Sequence, residues 1–238
     1  DTCSMRGKLF GVSIGPGNPE LMTLKAKNVL ETVDVICYPV KEKGEVGVAK
    51  EVIDKQIDTS DKDVREVVFS MKPVDSAMKD SQDIAADMIS EILDEGKDVA
   101  LVTIGDACVY STYMYVHKTL MKRGYDVEVV SGISSFVYGA ALANVPLMMG
   151  DESLCIVPMA KSNVWRLKKA LDENDNVIIM KAHGHIETII KLLCEHDIPF
   201  DNAIMMCNLG LIDEYVGPLD VRKDTTYFTT VLVKRDSD

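Results

Sequence analysis

Short apolar runs alternate with longer stretches in which apolar residues recur every three or four positions. The short runs predict strands over Leu9–Ile14, Val35–Tyr38, Val64–Phe69, Val99–Ile104 and Val127–Val130. Between them the helical spacing predicts helices over Met22–Thr32, Val46–Gln56, Ser76–Glu95 and Ser111–Arg123. Asp75 stands where it would cap the third of these, and Gly96 where it would close it. Such alternation is the mark of an α/β chain with a mainly parallel sheet covered on both faces.

After Gly132 the pattern changes. A small-residue helix, "SSFVYGAALA", leads to Pro146, and strands are predicted at Leu154–Val157, Val177–Met180, Ala203–Cys207 and Tyr227–Val233. Helices fit Asn163–Leu171 and Ile186–His196. The final β-branched and aromatic run has no crossover helix before it, so an antiparallel component is expected there. The coarse picture is two α/β lobes joined near Lys122–Asp126, residues 1–122 forming one domain and 123–238 the other.

Composition narrows the partners. Of 238 residues, 47% are apolar and 27% charged, which is globular usage, and the formal net charge is −12. No Lys/Arg run is long enough to track a phosphate backbone, so nucleic acid is not an expected partner. No apolar stretch is long enough to span a membrane and the first residues lack an apolar signal core, so a cytoplasmic location is expected. The six cysteines form no C-x-x-C pair and read as buried free thiols rather than as disulfides or a zinc site.

Two glycine-bearing loops follow predicted strands. "SIGPGNPELMT" lacks the Lys-Ser/Thr of a P-loop and the G-x-G-x-x-G spacing of a dinucleotide turn, and Pro16 removes a backbone donor. Alone it reads equally as a tight strand-to-helix turn. The second, "ALVTIGDACVYSTYM", carries Asp106, which suits a ribose hydroxyl, an ammonium or a sulfonium better than a phosphate and could equally cap a helix. The broken fingerprint also argues against a nucleotide-dependent oxidoreductase. A third element, "VVSGISSFVYGAALANVPL", offers small residues and the Ser134 and Ser135 hydroxyls.

These three elements, in this order, resemble the tetrapyrrole methylase family, whose members use S-adenosyl-L-methionine. The family's G-x-G-P-G-x-x-x-L-(L/M)-T is present with Ser13 for the first glycine, its Y-P is Tyr38–Pro39, its G-D-P has Ala107 for proline, and its P-G-I-(S/T)-(S/A) has Ser131 for proline. The segment "REVVFSMKPVDSAMKDSQDIAADMI" and "GDACVYSTYMYV" are most similar to the C20 methyltransferases of corrin synthesis. The resemblance implies two α/β domains, with cofactor in the cleft between them, and a homodimer. It implies methylation at C20 of a tetrapyrrole substrate, precorrin-2 or cobalt-factor II; another ring position is the alternative. It places cofactor contacts at Pro16, Ile104, Gly105, Asp106, Val109, Ser134 and Ser135, and in the second lobe at Met180 or Lys181 and Asn208 or Leu209.

Methyl transfer to C20 also requires a proton acceptor, for which Asp106 and Tyr110 are the candidates. Substrate carboxylates call for cations: Lys161, Arg166, Lys168 and Lys169, or Arg65 and Lys72, though the first group fits a solvated helix face equally. His183 and His185 in "AHGHI" lack a nearby third ligand and read as loop residues without a metal.

Overall fold

A computed structural model describes residues 5–70 and 76–235, with side chains from 81 onward in the helix that starts at Ser76. Cys3, Lys72 and the expected cap Asp75 lie outside the described residues. The chain divides into two compact units, residues 1–134 and 135–238.

The first unit runs β1 (Leu9–Ser13), α1 (Leu24–Thr32), β2 (Val35–Val40), α2 (Val48–Gln56), β3 (Asp63–Val68), α3 (Ser76–Asp94), β4 (Val99–Thr103), α4 (Tyr113–Lys122) and β5 (Val127–Val130). All strands are parallel, in the order β3-β2-β4-β1-β5. Near-continuous apolar strands follow from burial on both faces. On one face, Ile89 and Leu93 of α3 and Tyr113, Val116 and Leu120 of α4 join Leu9, Val35, Cys37 and Leu101 in a single core. Side chains alternate across a strand, so Val12, Ile36, Ala100 and Val102 belong to the other face, where α1 and α2 pack. The helix predicted from Met22 starts at Leu24 because the Thr23 hydroxyl accepts the Ala26 N–H at 3.1 Å.

Gly11 is fixed by α4. A Cβ built there would lie 2.1 Å from the Tyr113 ring, which occupies that space beneath β1. Tyr113 is fully buried, and burial pushes its hydroxyl above the ordinary range; the oxygen lies 2.9 Å from His117 Nδ1.

The second unit runs α5 (Ser135–Ala143), β6 (Leu154–Pro158), α6 (Val164–Glu173), β7 (Asn176–Met180), α7 (Ile186–Glu195), β8 (Ala203–Cys207), β9 (Tyr215–Gly217) and β10 (Thr229–Lys234). Its sheet has the order β6-β7-β10-β8-β9, with β6 and β7 parallel and β10 antiparallel to both β7 and β8. The antiparallel component is therefore present, in the centre of the sheet. Leu167 and Leu171 of α6 and Ile189 and Leu193 of α7 pack on Val177, Ile179, Met205 and Val231.

The division lies after β5, not at the 122/123 join read from the sequence. Val127–Val130 pairs with β1, which places it in the first sheet. The expectation of buried free thiols holds for Cys37 and Cys207, whereas Cys155 is half-buried and Cys108 and Cys194 are exposed. Among the described residues, no helix is long and apolar enough to cross a membrane.

Candidate active site

Topology selects one place in the first unit. The connection from β1 leads past β4 to β2, and that from β4 leads past β1 to β5, so neighbouring strands send their chains in opposite directions. In open parallel sheets such a switch point, at the carboxyl ends of the strands, is where ligands collect. The loops after β1, β4 and β5 all leave from that end.

Backbone bonds tie the first two loops together. The Gly105 N–H donates to the Gly15 carbonyl at 2.6 Å, the Gly15 N–H returns the bond at 3.3 Å, and the Ile14 N–H reaches the Thr103 carbonyl at 3.0 Å. Gly15 holds this bridge at φ 82°, where a side chain would be strained and would also meet the Leu21 carbonyl. Pro16 and Gly17 are buried beside it.

Asp106 ties the second loop to the third. One carboxylate oxygen accepts the Cys108 N–H and the other the Gly132 N–H, both at 2.8 Å. It is not the cap of α4: there Ser111 accepts the Tyr113 N–H at 3.1 Å, with the Thr103 hydroxyl 3.2 Å from the Ser111 oxygen. Beneath both loops the fully buried Ser13 Oγ accepts the Ala107 N–H at 2.8 Å. Asp106 is the sole charge in the loops 14–18, 104–111 and 131–134. That donor set suits a cationic ligand and opposes a phosphate.

Of the residues singled out from sequence, the first unit thus gathers Pro16, Ile104, Gly105, Asp106, Val109 and Tyr110 on two bridged loops, and Ser134 on the third. Tyr110 is half-exposed and takes φ 48°. Ser135 opens α5 in the second unit. There Met180 ends β7 and Lys181 follows at φ 55°; Asn208 follows β8 at φ 50° and Leu209 is buried. The Asn208 side-chain oxygen accepts the Thr226 hydroxyl at 2.8 Å, which fixes this turn. Tyr110, Lys181 and Asn208 are non-glycine residues in left-handed backbone, a conformation that persists only where surroundings impose it.

The sequence did not single out Thr103, Ser111, Gly132 or Asp224 for a role. Asp224 lies close to His183, with Oδ1 2.7 Å from Nδ1, and its other oxygen accepts the Gly184 N–H at 2.7 Å. Nothing local in the sequence links positions so far apart. Among the described residues no group of three His, Cys, Asp or Glu side chains is arranged to hold a metal. The basic candidates divide: Arg65 pairs with Asp63 and Lys168 with Glu195, while Arg166 lies over the exposed Trp165 ring.

Comparison with known proteins identifies the family. A 175-residue stretch, 74% of the chain, is 43% identical to a probable cobalt-precorrin-2 C(20)-methyltransferase of Methanocaldococcus jannaschii and covers 72% of that protein. A cobalt-precorrin-2 C(20)-methyltransferase of Salmonella typhimurium is 29% identical over 97% of the chain and 98% of its own length. The fold matches uroporphyrin-III C-methyl transferase from Thermus thermophilus, solved with S-adenyl homocysteine, at a TM-score of 0.70 and 16% identity, covering 96% of this chain and 97% of that one. The family model for tetrapyrrole (corrin/porphyrin) methylases matches residues 8–222. With its bridged glycine loops at the switch point of a parallel sheet, the chain is a member of the tetrapyrrole methylase family.

Proposed function

We propose that this protein transfers a methyl group from S-adenosyl-L-methionine to C20 of a corrin precursor, precorrin-2 or cobalt-factor II, as a cytoplasmic homodimer in cobalamin biosynthesis. The observation that carries the reading is the 43% identity to a relative named for C20 methylation, together with loops whose sole charge is an aspartate. The bound S-adenosylhomocysteine named for the Thermus structure supports the choice of cofactor.

The cofactor supplies a sulfonium methyl, and the protein's work is placement. The bridge between Gly15 and Gly105 fixes two loop backbones against each other, and Asp106 sets the third loop while offering negative charge to a cation. Pro16, Ile104, Gly105, Asp106, Val109 and Ser134 are the proposed contacts in the first unit. Ser135, Met180, Lys181, Asn208 and Leu209 carry over from the family pattern in the second. Holding C20 about 3 Å from the methyl and excluding water supplies most of the advantage over solution. The departing proton needs an acceptor, and Asp106 and Tyr110 are the two groups the sequence offers for it in the first unit.

The test is an anaerobic incubation with S-adenosyl-L-methionine and each macrocycle in turn, read by mass spectrometry and NMR. One added methyl at C20 is expected, and the faster substrate assigns the metallation state. A methyl at another carbon would move the reading to a different ring position. Loss of cofactor binding would remove the assignment of the glycine loops.

A further inference from the structure

The loop after β7 contains a feature the proposed mechanism leaves unused. His183 stands three residues beyond Met180, and its Nδ1 lies 2.7 Å from Asp224 Oδ1. The Asp224 side chain is 8% exposed whereas that of His183 is 45% exposed. The Gly184 N–H satisfies the second Asp224 oxygen at 2.7 Å. A carboxylate can only accept, so Nδ1 carries the proton and the Nε2 lone pair is left as the ring's basic site. A buried aspartate fixing a half-exposed imidazole in one tautomer is the arrangement that prepares a general base.

We propose that His183, oriented by Asp224, accepts the proton lost from C20. The inference rests on the C20 methyltransferase reading above. The new C20–CH3 bond forms as the S–CH3 bond breaks and its electron pair stays on sulfur; the C20–H pair then returns to the macrocycle and the proton passes to Nε2. The loop follows Met180 and Lys181, which the proposed function takes as cofactor contacts, and Lys181 holds the chain at φ 55° immediately before the histidine turn. By contrast, both Asp106 oxygens already hold backbone N–H groups. Asp224 is the group that faces His183; Lys181 and His185 share its loop, Lys223 adjoins Asp224 in sequence, and the Cys207 thiol, pushed up by burial and then by the charge of Asp224, lies against that aspartate's segment.

The test compares wild type with His183→Gln and Asp224→Asn, using macrocycle carrying hydrogen or deuterium at C20 and saturating cofactor. Asp224→Asn would present an N–H to Nδ1 and reverse the tautomer, so it should fail as His183→Gln does. Expected are a fall in kcat of about a hundredfold or more, loss of the acid limb of the pH profile, a larger deuterium effect, and unchanged cofactor affinity. Partial rescue of His183→Ala by added imidazole is also expected. Wild-type kcat and an unchanged deuterium effect in His183→Gln would overturn the proposal. If wild type itself methylates a carbon other than C20, the underlying reading fails instead. Thermal melts of each variant separate loss of fold from loss of the base.

Discussion

Ser13 and Ala107 meet across one buried hydrogen bond, and both depart from the family pattern, which has glycine and proline there. The two departures answer each other. Alanine restores an N–H that proline lacks, and the serine hydroxyl accepts it. Ser13→Gly would leave that donor buried without a partner, at a cost of about 1–3 kcal/mol. Adding Ala107→Pro removes the donor, so in urea unfolding the double variant should be less destabilised than additivity predicts. Additive costs would show that the two positions vary independently. Each departure was visible in the sequence, but their connection spans 94 residues and required the sheet to reveal it. The left-handed backbone at Tyr110, Lys181 and Asn208 was equally hidden, because no glycine announces it.

At the scale of elements, the edge strand β5 is held by charge as well as by its ladder. Glu128 accepts from Lys25 of α1 at 2.6 Å and pairs with Lys8, ahead of β1, at 2.8 Å. Hydrogen bonds from Lys25 and then Lys8 lower its carboxyl from 4.5 to about 2. A depressed folded value means the unfolded chain binds the proton first as pH falls. The contribution is therefore complete above about 4.5 and disappears as pH drops to about 2. Being partly solvated, it should be worth no more than about 1 kcal/mol. Glu128→Gln should thus be slightly less stable than wild type at pH 7 and indistinguishable from it near pH 2; a difference that persists in acid would contradict the linkage. Most elements were legible because long apolar periodicities decide them. β5 was read into the wrong half because a four-residue strand does not say which sheet it joins. β9, three residues long, gave no period at all.

For the molecule as a whole, a net charge of −12 faces a proposed substrate bearing several carboxylates. The long-range field opposes encounter, whatever cations act at close range. Raising ionic strength from about 0.01 to 0.15 M shortens the screening length from about 30 to 8 Å, so kcat/KM should rise with salt. A fall would show that local positive charge outweighs the global field. The two sheets differ in another respect, set by where their strands lie in the chain. The first is complete once residue 130 is in place, whereas the second cannot join β7 to β8 until β10, Thr229–Lys234, is available between them. On a translating ribosome, at about 5–20 residues per second, that difference becomes a wait of roughly 5–20 s. During this time the first unit can fold, while β7 and then β8, once made, wait roughly 3–11 s and 1–5 s for their shared partner. Nascent chains arrested short of Thr229 should therefore protect the strands β1 to β5 from protease and leave open to cleavage those later residues that have emerged from the ribosome. The second unit is where a chaperone would be needed during synthesis.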